Sequence, residues 1–476
     1  MADPFVERDQ LVAAVELAAQ AARSYLERLA VDDVVLAGSD AAIERWRDPM
    51  PEDGAGTLAA LSELVERARE SATRSSGPRF FHFVMGGGTP AALAADWLAS
   101  TYDQVAYAWA SSPFAARLEQ VAVDWLRQLF ELPAQFGGVM TTGATMANFV
   151  SLAAARNWWG EQHGVDVETD GLANLPPPRI LSSGYLHPSA VQAVGMLGLG
   201  RGSIRRLAGD AVGRLDVDAL AQELSRAGPA IVIANAGEVN AGDFDPIADV
   251  ADLCERHDAW LHVDGAFGLF ARLSPRTRSL TEGVERADSV ISDGHKWLNV
   301  PYDCGFAFVR EAERLPRALN VGAAYLPAAD DPHPNFGFLS PENSRRARSL
   351  AVWATLRAYG RGGYRQMVER HLSLAQHLAE LVDGATELER LADVPLNIVC
   401  FRAHPHGIAE PELNAFNSRL GEAVRADGRV FVGSTIYDGK TALRPAIVNW
   451  QTQRSDIEQL VQVSRERIHT LLAEEP

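Results

Sequence analysis

The stretch ADSVISDGHKWLNVPYDCG, residues 287–305, sets a lysine between a histidine and a tryptophan, just after the short apolar run Ser289–Ser292. A surface lysine normally keeps its ammonium in water while its stem lies along apolar surface. Lys296 instead follows what reads as a strand end and a glycine-containing turn, where scaffolds tend to place functional groups. A lysine desolvated at such a place becomes a nucleophilic amine. A solvated lysine in a turn is the plain alternative, so other residues must decide.

Outward from this turn, short apolar runs alternate with helical patterns. GGVMTTG leads into ATMANFVSLAAARNWW, RILSS into HPSAVQAVGML, and AIVIANAG into PIADVADLCERH; AWLHVDGAF, SVISDG and CGFAFVR follow. Strands of this kind separated by helices imply an α/β fold with a mostly parallel central sheet covered by helices on both faces. NLPPPR (Asn174–Arg179) is a connector before one strand. Near the N-terminus, Leu11, Val15, Ala18, Ala22, Tyr25 and Leu29 recur at helical spacing, giving an amphipathic helix whose stripe needs a covering surface. After about Gln366 a long helix leads into NIVCFRAH and RVFVGSTI, a smaller α+β pattern. The expected division is an N-terminal helical segment (1–88), a large domain (89–366) and a small C-terminal domain (367–476).

The 476 residues are too many for one core, and 47% hydrophobic with 22% charged residues is ordinary for a globular protein. A net charge of −18 disfavours nucleic acid and anionic membrane as partners. Cys254, Cys304 and Cys400 are too far apart in sequence to suggest a disulfide framework and point to a reducing compartment. The opening MADPFVERDQ has no signal-peptide pattern, and no apolar run is long enough to span a bilayer, so the expectation is a cytoplasmic protein.

Two familiar motifs fail on inspection. GSTIYDGKT (Gly433–Thr441) has five residues between its glycines where a phosphate-binding P-loop needs four, and Pro445 follows; a hairpin turn fits better. Cys254, His257 and His262 straddle a helix end and a strand without a fourth ligand, so no metal site is expected. The remaining candidates lie at the carboxyl ends of strands, where open α/β sheets bind ligands. Asp264 ends WLHVD and Lys296 follows the next strand, so both reach one crevice. TTGATMAN (Thr141–Asn148) joins a strand to a helix start suited to a phosphate, although an ordinary cap looks alike. His187 in GYLHPSA precedes another helix, where a capping histidine is the commoner reading. Lysine, aspartate, helix N-terminus and aromatic ring together match the needs of pyridoxal 5'-phosphate.

At these residues the sequence resembles the group II pyridoxal-phosphate-dependent amino acid decarboxylases, the family that includes the aromatic-L-amino-acid decarboxylases. The matching segments are SSPFAARLEQVAVDWL, GVMTTGATMANFVSLAAAR, LHPSAVQA, AWLHVDGAFG, DGHKWLNVPYDCG and RRARSLAVWATLRAYG, in family order from about Phe80 to His371. The resemblance implies a fold-type I enzyme with Lys296 as the Schiff-base lysine, Asp264 on the pyridine nitrogen and His187 stacked on the cofactor ring. It further implies phosphate binding at Ala144 and Thr145, flanked by Asp293 and His295, and a mobile-loop tyrosine at Tyr325 that supplies a proton after carbon dioxide leaves. It implies a homodimer too, with Pro341–Arg348 near the cofactor phosphate of the other subunit.

The chain departs from the family pattern at three places. Gly237-Glu238-Val239 stands where many relatives have Gly-Thr-Thr, Gly294 replaces a frequent proline, and FVMGGGTP (Phe83–Pro90) replaces a more polar and aromatic stretch. Trp109 matches an aromatic on the substrate side and serves equally well as core packing; with Phe83 it favours an aromatic or apolar amino acid. Glu238 leaves a cationic substrate open. Competing readings are an amine-oxidising aldehyde synthase, a lyase for phosphorylated sphingoid bases, and a catalytically silent protein of the same fold. Retained Tyr325 and His187 disfavour the first, Trp297 the second, and the full set of site residues the third.

Overall fold

The computed structural model describes residues 3–226, 228–321, 327–328 and 331–474. Tyr325 lies outside the described residues. A seven-stranded sheet forms the centre: β1 (Gly137–Thr141), β2 (Arg179–Ser182), β3 (Ile204–Arg206), β4 (Ala230–Asn235), β5 (Trp260–Asp264), β6 (Ser289–Asp293) and β7 (Gly305–Val309). Their spatial order is β1-β7-β6-β5-β4-β2-β3. Strands β3, β2, β4, β5 and β6 run parallel, while β7 is antiparallel to both β6 and β1. All six residues of β4 and all five of β5 are buried, which is why these strands read as unbroken apolar runs. The turn holding Lys296 is the link between antiparallel β6 and β7, so it folds back over the carboxyl end of β6.

Apolar residues fill both faces of the sheet. One cluster contains Leu261, Val263, Trp297 and Phe306; the other joins Ile231, Ile233 and Ile291 to the helix Ala144–Glu161. A second sheet, with β8 (Leu388–Arg390), β9 (Phe401–Ala403), β10 (Ser434–Tyr437) and β11 (Lys440–Leu443) in the order β10-β11-β9-β8, is antiparallel throughout. It packs on the helices Glu410–Asp427 and Arg454–Glu474 through a third cluster that includes Phe401, Phe416 and Ile457. The P-loop-like stretch is the β10–β11 hairpin, whose turn residues Asp438 and Gly439 both have positive φ. The long helix Ser349–Asp383 links the two sheets and breaks at Gly360, whose φ is 57°. Strands β3 and β8, each three residues long, have no alternation long enough to read from sequence.

The N-terminal pattern forms the helix Leu11–Arg28, which packs against the helix Thr57–Ser71. None of its residues is buried, and Leu11, Val12 and Val15 are exposed. No helix among the described residues is long and apolar enough to cross a membrane.

Candidate active site

The lysine turn is held rigidly from below. Trp297 is fully buried, and its indole N–H donates to His371 Nδ1 at 2.8 Å, while His371 Nε2 bonds the Asn449 carbonyl at 3.0 Å. These bonds require a neutral imidazole, and burial holds the pKa of His371 down at about 3. Asn299 ties the same turn to the Val448 carbonyl through Nδ2. Gly294 has no room for a side chain, since a Cβ there would meet Cys304 Sγ and Phe306 at 2.8 Å. A proline here would meet that crowding and lose the hydrogen bond from the Gly294 N–H to the Cys304 carbonyl at 3.0 Å.

Above the turn, Lys296 Nζ lies 3.0 Å from Asp293 Oδ2. The Cys304 N–H donates to His295 Nδ1 at 3.3 Å, so the ring proton sits on Nε2, 3.6 Å from the same carboxylate oxygen. Tyr302 stacks on the His295 ring at 4.1 Å. The other oxygen of Asp293, Oδ1, is buried without a partner among the described residues. It faces Gly143, where a Cβ would approach it to 3.6 Å and His295 Cε1 to 3.2 Å. Gly143 precedes the helix Ala144–Glu161, which has no side-chain cap at its N-terminus. Gly305 permits this close approach, because a Cβ on it would come within 2.6 Å of the Gly143 backbone.

Asp264 stands at the carboxyl end of β5, accepting from Asn148 Nδ2 at 3.0 Å and from the Ala266 N–H at 3.1 Å. His187 caps the helix Pro188–Met196, as a capping histidine would, and its Nδ1 lies 2.7 Å from Ser189 Oγ. Burial lowers the His187 pKa; Asp264 and Asp293 oppose that shift, while Lys296 and Arg444 add to it. The structure therefore brings His187, Asp264, Asp293 and Lys296 within electrostatic reach of one another, with His295 and the helix start at Gly143–Ala144 beside Asp293. Trp109 is not among them. It stacks on His333 at 4.7 Å and lies under the Arg117 guanidinium at 5.3 Å. Phe83 is 61% exposed on a strained backbone, where both it and Val84 have positive φ. That segment joins the lysine turn through the Gly86 N–H, which donates to the His295 carbonyl at 3.1 Å.

Glu238 is buried, and its two oxygens accept the N–H groups of Asn240 (2.8 Å) and Ala241. It caps its own loop. Asn148, Ser189 and His262 were missed as site residues by motif reading. Alternation along β5 puts His262 on the same face as Asp264, and an asparagine inside an otherwise apolar helix asks for a partner; both signals were available. Of the three residues weighed as zinc ligands, Cys254 is buried in the helix Ile247–Arg256, His257 follows that helix, and the His262 ring is engaged by Ser289 and Asn148. One further signal is compositional. Of 44 basic residues besides histidine only two are lysines, Lys296 and Lys440, and Lys440 pairs with Glu389 at 3.7 Å on the second sheet.

An amine, a carboxylate at a strand end, an uncapped helix N-terminus and imidazoles in one cleft suit a phosphorylated pyridine aldehyde. The glycine contacts leave the helix start open to a phosphate. The architecture is that of a fold-type I enzyme. The pyridoxal-dependent decarboxylase conserved domain matches residues 50–404. The chain belongs to the pyridoxal-dependent decarboxylase family, whose cofactor is pyridoxal phosphate and whose reaction is the decarboxylation of an amino acid. It is 29% identical over 432 residues to the aromatic-L-amino-acid decarboxylase of Bacillus atrophaeus, covering 89% of this chain and 88% of that one. It is 32% identical over 411 residues to the L-2,4-diaminobutyrate decarboxylase of Rhizobium meliloti (strain 1021), covering 84% and 80%. The crystal structure of Oryza sativa TDC with PLP and tryptamine superposes with a TM-score of 0.89 at 25% identity, covering 97% of this chain and 98% of that one.

Proposed function

We propose that this chain decarboxylates an L-amino acid with an aromatic or otherwise apolar side chain, releasing the amine and carbon dioxide, and does so as a homodimer in the cytoplasm. The observation that carries the substrate reading is the engagement of Glu238. The departure that left a cationic substrate open is a buried carboxylate whose two oxygens are taken by its own loop. Arg444, the buried cation nearby, bonds the Val239 carbonyl at 3.1 Å and lies within electrostatic reach of Glu238. The side chain that the neighbouring segment offers instead is Phe83, apolar and exposed.

In this reading Lys296 would carry the cofactor, Asp264 would pair with its pyridine nitrogen, and the helix start at Ala144 and Thr145 would hold its phosphate. Asp293 and His295 flank that phosphate. Bound cofactor supplies an electron-withdrawing ring that stabilises negative charge at Cα. His187 would cover the ring, and the Tyr325 phenol would give Cα its proton. The dimer is supported by the exposed Leu11, Val12 and Val15, and by an apolar cleft of about 1040 Å3 between the N-terminal helices and the lysine turn. Leu29, Met85, Trp97 and Tyr302 line that cleft. Three buried free cysteines fit a reducing compartment.

The test is carbon dioxide release from a panel of L-amino acids, with amine, aldehyde and peroxide measured in the same reactions. Tryptophan, tyrosine, phenylalanine or a large aliphatic substrate should lead, with amine as the product. A preference for 2,4-diaminobutyrate or glutamate would overturn the substrate class, and aldehyde with peroxide as the main products would overturn the reaction type.

A further inference from the structure

Asn148 is fully buried one turn into the helix Ala144–Glu161, where an amide is tolerated only if its polar atoms are matched. Its Nδ2 lies 3.0 Å from Asp264 Oδ2 and 3.2 Å from Ser189 Oγ, and its Oδ1 lies 2.8 Å from His262 Nε2. Chemistry fixes the direction of each bond. A carbonyl oxygen only accepts, so His262 carries its hydrogen on Nε2. Burial keeps His262 neutral, with its pKa near 4, so its Nδ1 accepts from Ser289 Oγ at 2.8 Å. Ser289 accepts in turn from the Trp260 indole N–H at 3.0 Å. Rotating the Asn148 amide would set its oxygen against the Asp264 carboxylate, so this arrangement is the one the network permits.

The two amide hydrogens then point to different destinations. One goes to Asp264. The other occupies Ser189 Oγ, which leaves the Ser189 hydroxyl hydrogen for His187 Nδ1 at 2.7 Å. The Ser189 N–H reaches the same nitrogen at 3.2 Å, so the His187 proton sits on Nε2. Four charged groups act on this ring, Asp264 and Asp293 against Lys296 and Arg444. These charges bear on whether the ring is protonated; which nitrogen carries the hydrogen is set by the hydrogen bonds.

We propose that Asn148 is a positioning residue that couples the two cofactor-facing groups: one amide hydrogen holds Asp264 as a hydrogen-bond acceptor, and the other, through Ser189, holds His187 in its Nε2–H tautomer. This rests on the reading of Asp264 and His187 as groups that face the cofactor. An ionised Asp264 keeps the pyridine nitrogen protonated, and an Nε2–H on His187 presents a donor to the reacting side.

The experiment uses holoenzyme with 15N-labelled histidine and with cofactor labelled at the pyridine nitrogen. The His187 signal is assigned by its loss in His187→Gln. Asn148→Ala should move both the His187 and the pyridine signals. Ser189→Ala should move the His187 signal alone. In each variant kcat should fall on the order of 10–100-fold, as expected for loss of a buried hydrogen bond to a charged or catalytic group, with KM within about twofold. Asn148→Ser, which can donate only one hydrogen, should preserve at most one of the two signals. Because Ser189→Ala leaves the helix interior intact, the His187 branch is tested even if the Asn148 variants fail to fold. Unmoved signals in a cofactor-loaded Asn148 variant would overturn the coupling, as would a Ser189→Ala variant that shifts the pyridine nitrogen equally. A parent enzyme whose pyridine signal ignores Asp264→Asn would overturn the underlying reading instead, whatever Asn148 does.

Discussion

The floor of the site and its rim are built by opposite rules. On the floor, Asn148, His262, Ser289, Trp297 and His371 are all fully buried, and each makes directed hydrogen bonds. On the rim, Phe83 and Tyr302 are more than half exposed. A buried polar group left unmatched costs far more than an exposed one, so the floor tolerates few residue types while the rim tolerates many. The floor holds the groups on which the cofactor reading rests, and the rim those on which the substrate reading rests. The contrast says where changes should hurt most.

The largest loss is expected at the floor. Lys296→Ala should lower turnover roughly 10³-fold or more, since no other lysine lies near the cleft to replace the amine. Steady-state carbon dioxide release checks this, and a variant within tenfold of the parent would break the division at its strongest point. Next comes Tyr325→Phe, for which amine formation should fall about 10²–10⁴-fold while aldehyde and peroxide gain as a share of product. An unchanged amine rate would reduce Tyr325 to an ordinary loop residue. At the rim, Phe83→Ala should raise KM for an aromatic substrate roughly tenfold with kcat little changed, the size expected for part of an apolar contact. A fall in kcat with constant KM would move Phe83 to the chemical step.

Acid should loosen the floor by a smaller, graded amount. His262 and His371 have folded-state pKa values of about 4 and about 3, below the roughly 6.5 of an unfolded histidine. Between those values the unfolded chain binds protons that the native protein excludes. Stability is therefore fully present above pH 6.5 and falls as pH drops towards 4, by up to about 1.4 kcal/mol per pH unit for each histidine. Denaturant titrations at several pH values should show that slope, and His371→Gln should make it shallower. A slope unaffected by either histidine would place the acid sensitivity elsewhere.

How far the molecule could be read beforehand follows the same boundary. The apolar runs of β1, β2 and β4–β7 are visible because both faces of the sheet are covered, and Asp264 and Lys296 stand out because each directly follows such a run. Strands β3 and β8 are too short to announce themselves. Asn148 and Ser189 stayed hidden because each looks like ordinary helix or cap chemistry until its partners, far away in sequence, are in place. His262 was weighed only as a metal ligand and set aside, because its part in a hydrogen-bond chain shows only once Asn148 and Ser289 are in place. Glu238 looked like a substrate-facing charge because spacing alone does not show that its own loop would consume both oxygens. The substrate side is the least legible part: Trp109 fits the pocket and the core equally well in sequence, and its ring lies against His333 and Arg117 rather than among the residues around Lys296.

The central claim is that Lys296, between Asp293 and the buried Trp297, is the amine that carries the cofactor. The presence of only two lysines makes this unusually direct to test. Holoenzyme is reduced with borohydride, digested, and the cofactor-bearing peptide identified by mass. The account predicts a stable label on the peptide containing Lys296, in the parent and in Lys440→Arg alike, and no label on Lys296→Ala. A label on Lys440, or a reduced protein that releases its cofactor on denaturation, would contradict it.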